Sequence, residues 1–237
     1  MALLEVRNIN TFLGGNHIIR GVSIKVDTAE CVYVLGRNGA GKTTLLKSIV
    51  GLYQVSSGEI IFDGKEITNL KPHEIISMGI GYSPEGSRVF SNLTVRENIR
   101  LALSTLKRLS KGKIREEEIL KEIYEVFPEL KKLENRRAFY LSGGERKILA
   151  LARALALKPR LLIIDEPLEG LSPLVRARLR RAFESIAQQD RAMLIAESNL
   201  NFVLPFAKKC YLMDRGEVIY EGDPKTVSEY AKSIYLV

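Results

Sequence analysis

The chain has 237 residues, of which 46% are apolar and 27% are charged, as is usual for globular proteins. This composition excludes a disordered chain, a collagen-like chain and a coiled-coil rod, and no apolar run approaches the roughly 18 residues of a membrane span. The formal charge of 36 − 28 = +8 leaves nucleic acid, an anionic membrane surface and nucleotide phosphates as candidate partners.

Strands and short helices alternate in the first part of the chain. Alternating or continuous β-branched residues predict strands over residues 3–6, 18–26, 31–35, 58–62 and 80–82. Helical spacing predicts a helix over residues 43–50, and Lys71-Pro72 opens another short one. Asp63-Gly64 predicts the turn of a β-hairpin.

The second part begins with a helical segment. Residues 94–137 are rich in Leu, Glu, Lys and Arg, which indicates a helical insert, and helices are also predicted over residues 142–157, 173–188 and the tail. Strands are predicted over residues 160–164, 192–196, 210–213 and 217–220. Strands alternating with helices imply a mainly parallel sheet with helices on both faces.

Two further features bear on the cellular compartment. The N-terminus lacks the basic and then apolar layout of a signal peptide. Cys31 and Cys210 are the only cysteines and lie far apart in the sequence, which excludes a disulfide framework and a cysteine-only zinc site. We therefore expect a protein of a reducing cytosol.

A glycine-rich loop between a predicted strand and a predicted helix has the spacing of a phosphate-binding loop. Glycines allow the backbone N–H groups to surround a phosphate, and the helix N-terminus favours an anion. The lysine can reach the β- and γ-phosphates, the first threonine can ligate Mg²⁺, and the second can bind the α-phosphate. The predicted nucleotide-binding residues are Gly36, Arg37, Asn38, Gly39, Ala40, Gly41, Lys42, Thr43 and Thr44.

Two carboxylates, Asp165 and Glu166, follow the buried strand predicted over residues 160–164. Ligands of open α/β sheets bind at the carboxyl edge of the strands. Asp165 would hold Mg²⁺ through water, and Glu166 would polarise the attacking water. Alone the pair could be a solvated acidic turn, but a nucleotide site also needs a metal carboxylate.

A Ser-Gly-Gly-Glu sequence, Ser142 to Glu145, opens a predicted helix. A capping box accounts for Ser142 and Glu145 but does not require Gly143 and Gly144. Paired glycines favour close approach of an anion to the backbone N–H groups, for example the γ-phosphate of a nucleotide held by another subunit.

In this order, the phosphate loop, the Leu141–Glu145 signature and the acidic pair resemble the ATP-binding subunit of an ABC transporter over nearly the whole chain. The resemblance implies an α/β P-loop NTPase with a mainly parallel core sheet, an N-terminal antiparallel β subdomain and a helical signature subdomain. Residues 1–88 and 160–237 would form the core of one domain, and about residues 89–159 the helical insert. It further implies a head-to-tail dimer that binds ATP and Mg²⁺.

In such a dimer each ATP would contact Ser142, Gly143, Gly144 and Glu145 of the other subunit, and Glu166 would be the general base. Hydrolysis would open the dimer and drive a membrane partner. The resemblance thus implies a peripheral subunit on the cytoplasmic face of the cell membrane.

Residues 84–90 and 93–98 resemble the smaller ATPase subunit of branched-chain amino acid importers. By this resemblance residues 85–100 would contact the permease, and a solute-binding protein would be an indirect partner. A second ATPase subunit would complete the dimer, either a different chain, as the branched-chain systems favour, or a second copy of this one. Residues 14–18 also resemble importers of urea or another amide, and this subunit does not select the solute. An ABC-type ATPase acting on nucleic acid is less favoured, because the long coiled coil, zinc sites and second ATPase domain of such proteins are missing.

Several positions depart from the family pattern. Glu85 replaces a glutamine but can still meet Mg²⁺, and Ser198 stands where many relatives have a histidine and can hydrogen-bond phosphate. Leu13 aligns with the aromatic residue that stacks on adenine, so Phe12 would stack there instead, or would belong to the core. Ser172 replaces an aspartate in the loop after Glu166. Lys42, Thr43, Asp165 and Glu166 are retained, so we expect hydrolysis.

Overall fold

Two β-sheets form the framework of the chain in a computed structural model. The structure describes residues 2–86, 88–109, 115–199, 202–203 and 205–235, with only the backbone described at 105–109 and 235. The strands are β1 (Ala2–Leu13), β2 (Asn16–Asp27), β3 (Cys31–Leu35), β4 (Ser57–Phe62), β5 (Lys65–Glu66), β6 (Ile80–Ser83), β7 (Leu161–Asp165), β8 (Ala192–Glu197), β9 (Lys209–Asp214) and β10 (Glu217–Gly222). The helices are α1 (Lys42–Ile49), α2 (Pro72–Ser77), α3 (Val95–Leu109), α4 (Glu116–Val126), α5 (Pro128–Lys132), α6 (Gly143–Ala156), α7 (Pro173–Ala187) and α8 (Pro224–Tyr235).

The larger sheet has six strands in the order β10-β9-β3-β8-β7-β6. Every pairing is parallel except that of β10 with β9. Strands β3, β7 and β8 are buried at every position, because helices or the second sheet cover both faces. The C-terminal ends of these three strands meet at one edge, which brings together Leu35, Asp165 and Glu197.

Alternate side chains of the central strands enter two different hydrophobic cores. Leu162 and Ile164 of β7 pack in a core shared with the helices α3, α4, α6 and α7. Leu161 and Ile163 pack in a second core under the smaller sheet, which is antiparallel and has the strand order β2-β1-β4-β5. The central sheet therefore lies between a layer of helices and the smaller sheet. Packing on both faces fixes the position of the carboxyl edge of its strands.

Backbone hydrogen bonds join the two ends of the helical segment. Thr94 and Arg137 form an antiparallel bridge, and the Val95 N–H donates to the carbonyl of Arg136 at 3.0 Å. Glu97 accepts hydrogen bonds from the backbone and the hydroxyl of Thr94, which caps the start of α3. Within the described residues, no helix is both long enough and apolar enough to cross a membrane.

The structure confirms the predicted fold class and, within the described residues, the predicted strands and helices, including the hairpin at Asp63-Gly64. Residues 110–114 of the segment predicted as helical over 94–137 lie outside the described residues. It extends the first strand well beyond the predicted residues 3–6. Register shifts follow Val6 and Ile9 in the pairing with β2, and Asn8 adopts a left-handed φ of 48°. These bulges break the side-chain alternation from which a strand is predicted, while the pairing continues to Leu13. The division into a core and a helical insert stays a prediction.

Candidate nucleotide-binding and hydrolysis site

The loop after β3 is open towards a cavity of about 390 Å³. Gly39 and Gly41 have φ values of 83° and 105°, which side-chain-bearing residues rarely adopt, and a Cβ at Gly39 would meet nothing within 4 Å. Lys42, Thr43 and Thr44 begin α1 and line the same cavity. The loop has the open concave shape that a phosphate group requires, with the N-terminus of α1 directed at it.

Lys42 and Glu166 form a buried ion pair in this cavity. The Lys42 Nζ lies 3.1 Å from Glu166 Oε1 and donates to the carbonyls of Gly36 at 2.8 Å and Arg37 at 3.2 Å. Glu166 adopts a φ of 47°, and its N–H donates to the Ala196 carbonyl at 3.0 Å. The ammonium is therefore held at the mouth of the phosphate loop by groups that an incoming phosphate can replace.

The predicted metal-binding residues, Thr43 and Asp165, are in contact. The Thr43 hydroxyl donates to Asp165 Oδ1 at 3.1 Å, and the Tyr82 hydroxyl lies 3.5 Å from Oδ2. Burial, with the nearby charges of Glu85 and Glu166, raises the pKa of Asp165 to about 6. A buried carboxylate surrounded by like charges and oxygen atoms fits Mg²⁺, which uses one or two carboxylates, hydroxyls and phosphate oxygens.

Glu85 follows β6 on an exposed turn and lines the same cavity as Lys42 and Thr43. It also lines a neighbouring cavity of about 670 Å³ that contains Asp165 and Tyr82. The structure thus places Glu85 beside the predicted metal position, where a carboxylate can meet the cation directly or through water.

A second carboxylate lies behind Glu166. Glu197, at the end of β8, is 1% exposed and accepts a hydrogen bond from the Leu168 N–H at 3.1 Å. Burial and the charge of Glu166 raise the pKa of Glu197 well above its ordinary value. The sequence analysis did not identify Glu197, although a glutamate ending an apolar strand of the central sheet is itself a signal.

A comparison with known proteins places this geometry in a family. The sequence model described as ABC transporter matches residues 19–169, which include the phosphate loop, the signature and the acidic pair. The chain belongs to the ABC transporter ATPase family. It is an ATPase that binds ATP.

Relatives from two transport systems match the chain along its length. It is 34% identical to the high-affinity branched-chain amino acid transport ATP-binding protein BraG of Pseudomonas aeruginosa, over 92% of this chain and 91% of BraG. It is 36% identical to the probable branched-chain amino acid transport ATP-binding protein LivF of Archaeoglobus fulgidus, over 97% and 96%. It is also 32% identical to the lipopolysaccharide export system ATP-binding protein LptB of Haemophilus influenzae, over 100% and 98%.

The fold agrees with a solved structure of the same family. A nucleotide-free ATP-binding cassette from an ABC transporter superposes with a TM-score of 0.82 at 28% identity, covering 98% of this chain and 96% of that one. The similarity over almost the whole of both chains confirms the P-loop NTPase fold of ABC type.

The ABC signature of this chain begins α6 with a complete capping box. The Ser142 hydroxyl accepts from the Glu145 N–H at 3.2 Å, and Glu145 Oε2 accepts from the Ser142 N–H at 2.7 Å. Gly144 packs against Val175, whereas a Cβ on Gly143 would meet nothing within 4 Å. Among the described residues that line the phosphate cavity, none is Ser142, Gly143, Gly144 or Glu145 of the same chain. Their predicted contact with ATP in another subunit stays a prediction.

Two other ABC positions have contacts that differ from those expected. Phe12 is 49% exposed and its ring stacks on His17 with centroids 4.2 Å apart, so its alternative assignment to the core is wrong. Ile18 of the same hairpin lines the phosphate cavity, whereas Phe12 is not among its lining residues. Ser198 donates from both its hydroxyl and its N–H to Glu166 Oε2, at 3.1 Å each. Ser198 therefore orients the predicted base.

Proposed function

We propose that this ABC ATPase drives an importer, with branched-chain amino acids as the solute. The observation that carries the proposal is the match to BraG and LivF over more than nine-tenths of each chain. The segment over residues 84–90, which resembles that importer subgroup, supports it. A role in lipopolysaccharide export is the second candidate, because LptB is similar over the same length.

In the proposed mechanism the loop over residues 36–41 and Lys42 bind the phosphates of ATP. Thr43, Asp165 through water, and Glu85 would hold Mg²⁺, whose positive charge would stabilise the charge that develops on the transferred phosphoryl group. Glu166 accepts a proton from the attacking water, and Ser198 orients its second oxygen. The Lys42 ammonium moves from the carboxylate to the phosphate, which frees Glu166 Oε1 to act as the base.

The assembly we propose contains two ATPase subunits arranged head to tail. The N-terminus of α6 provides backbone N–H groups for the γ-phosphate of the ATP bound to the other subunit. The open space at Gly143 leaves room for that phosphate to approach. A second, non-identical ATPase fits the branched-chain systems better than a second copy of this chain. ATP binding closes the pair, and hydrolysis opens it.

A groove between the core and the helices is the proposed contact with the permease. It has a volume of about 420 Å³ and combines the exposed apolar side chains Phe90 and Leu101 with Tyr82 and Arg153. The Arg153 Nη1 donates to the Arg88 carbonyl at 2.8 Å, and its guanidinium lies 4.7 Å from the centre of the Phe90 ring. The groove includes part of residues 85–100 and lies next to Glu85. A partner bound there can therefore affect the position of Glu85 in the proposed metal site.

The test is affinity purification of the protein from gently solubilised native membranes, with the co-purifying proteins identified. Two multi-span permeases, a second ATPase and a solute-binding protein that binds leucine, isoleucine or valine are expected. Export components in place of a solute-binding protein would support the second candidate and refute import. A binding protein specific for urea or another amide would refute the solute alone.

A matched pair of variants tests the groove. Leu101→Asp places a charge on an apolar wall of the groove and is expected to abolish recovery of the permeases. Ile219→Asp places the same charge on an exposed apolar position of β10, outside the groove, and is expected to leave recovery unchanged. Recovery of a soluble nucleic acid complex, with no membrane protein, would overturn the transporter assignment.

A further inference from the structure

The loop that carries Glu166 is held by side chains from two distant parts of the chain. Glu197 of β8 accepts a hydrogen bond from the Leu168 N–H at 3.1 Å. Lys147 of α6, 22 residues before Glu169, donates from Nζ to the Glu169 carbonyl at 3.0 Å. The two contacts hold the backbone of two consecutive residues, Leu168 and Glu169, shortly after Glu166, one from the central sheet and one from the signature helix.

Glu197 also lies beside Glu166, the predicted general base. Glu197 is 1% exposed and faces the Glu166 carboxylate, and its Oε2 receives no hydrogen bond from the described residues. A buried carboxyl beside a second carboxylate retains its proton at neutral pH, and burial together with Glu166 raises the pKa of Glu197 to about 8. The protonated Oε2 can donate to Glu166 while Oε1 accepts from Leu168.

The contact from Lys147 brings a cation towards the same carboxylates. Its ammonium is partly buried and interacts electrostatically with Glu197, Glu169, Glu166 and Glu85. The groups around Glu166 therefore include Lys42, Ser198, Asp165, Glu197 and, from the signature helix, Lys147. Lys147, in the second turn of α6, therefore ties the signature helix to the hydrolytic loop of its own chain.

We propose that Glu197 and Lys147 are positioning residues that hold the loop after Glu166 in the geometry required for attack of water on ATP. The proposal rests on the proposed role of Glu166 as general base. Neither residue is among those that line the phosphate cavity in the described part of the chain. Glu197 fixes the direction of the Glu166 carboxylate, and Lys147 transmits the position of the signature helix to the loop.

The first experiment varies Glu197 and measures steady-state ATP hydrolysis with kcat and KM separated. Glu197→Gln retains an acceptor for Leu168 and a donor for Glu166, so its kcat is expected within about 3-fold of the parent. Glu197→Leu removes both and is expected to lower kcat about 100-fold with little change in KM, since a misplacement of about 1 Å can cost that much. Glu197→Asp shortens the side chain by one methylene, and its kcat should lie between those of Glu197→Gln and Glu197→Leu.

The pH profile provides a readout that a purely structural role would not change. The parent's kcat should decline above about pH 8, where Glu197 loses its proton and repels Glu166. The amide of Glu197→Gln does not lose a proton, so this variant should retain its kcat above about pH 8. ATP binding by each variant, measured by fluorescence titration, verifies folding, and Glu197→Asp carries the test if Glu197→Leu does not fold.

The second experiment varies Lys147. Lys147→Arg can still donate to the Glu169 carbonyl and is expected to retain most of kcat, whereas Lys147→Met should lower it about 10-fold and increase hydrogen exchange over residues 167–172. Lys158→Met is the control, because Lys158 pairs with Glu122 on the surface and not with this loop.

The outcomes separate the two proposals. If the parent protein hydrolyses ATP and Glu166→Gln does not, the role of Glu166 stands. The positioning role is then overturned by a folded Glu197→Leu or Lys147→Met with the parent's kcat, or by a Glu197→Gln as impaired as Glu197→Leu. Turnover by Glu166→Gln close to the parent's would instead refute the proposed function of the base.

Discussion

Replacing Asp165 by asparagine should stabilise the ligand-free protein while abolishing hydrolysis. Asp165 is 1% exposed and lies beside the charges of Glu85 and Glu166, which disfavour its ionised form. Asparagine is neutral, keeps an oxygen that accepts from the Thr43 hydroxyl, and has an N–H₂ group that can donate to the Tyr82 hydroxyl. The substitution therefore removes a buried charge without removing its hydrogen bonds.

The size of the gain follows from the pKa of Asp165. Its rise from 3.8 to about 6 corresponds to a cost of about 3 kcal/mol for the ionised form in the folded protein. This cost already includes the favourable interaction with Lys47, so we expect a gain of about 1–3 kcal/mol, or about 2–4 °C in Tm for each kcal/mol.

The direction of the pH dependence is fixed by the same values. The folded protein retains the proton of Asp165 up to about pH 6, whereas the unfolded chain loses it near pH 4. The wild-type stability contributed by this group therefore falls as the pH rises from about 4 to 6, and is lowest above that window. The advantage of Asp165→Asn should be full at pH 7.5 and vanish near pH 4.

Thermal unfolding without nucleotide or Mg²⁺, followed across this pH range, measures the effect. Asp63→Asn is a control with the same change in net charge, since Arg160 lowers the pKa of Asp63 and its substitution should bring no gain at pH 7.5. An Asp165→Asn protein no more stable than the parent at pH 7.5, or equally stabilised at both ends of the range, would refute the reasoning.

Three further predictions concern nucleotide binding and turnover. Lys42→Ala removes the phosphate-binding cation and leaves Glu166 buried without its ion pair, so hydrolysis should fall by at least about 100-fold; a rate near the parent's would contradict this. Glu166→Gln should lower kcat by about 100-fold and accumulate an ATP-bound dimer in size-exclusion chromatography. If another residue is the base, the variant should still hydrolyse ATP and elute as a monomer. Phe12→Ser should weaken ATP binding about 2–10-fold in a fluorescence titration, and unchanged affinity would exclude adenine stacking on Phe12.

Local patterns were sufficient to predict most of the fold, including the strand and the helix that flank the glycine-rich loop. The run of five apolar residues before Gly36, for example, predicts β3 because a central parallel strand is buried on both faces. The position of Asp165 follows from the same logic, since parallel strands present their carboxyl ends at one edge.

The contacts around Glu166 could not be predicted in this way. Ser198 and Glu197 lie more than 30 residues from Glu166, and Lys147 lies 22 residues before Glu169, the residue whose carbonyl it contacts. Sequence periodicity specifies which face of an element is buried but not which side chain of another element meets it. The stacking of Phe12 on His17 has a different cause, because the bulges of β1 alter which residues share a face.

The contacts of Ser198 indicate how this ATPase would respond to pH. The sequence contains only His17 and His73, which lie in β2 and α2 and not at the carboxyl edge of the central sheet. A histidine switch beside the γ-phosphate is therefore absent from the described site, and Ser198 binds Glu166 instead. The titratable groups left around the base are carboxyls and lysines, and burial raises the pKa of Glu197. Control by protonation should consequently appear as a loss of activity on the alkaline side, through Glu197, and not as a transition near the ordinary pKa of histidine.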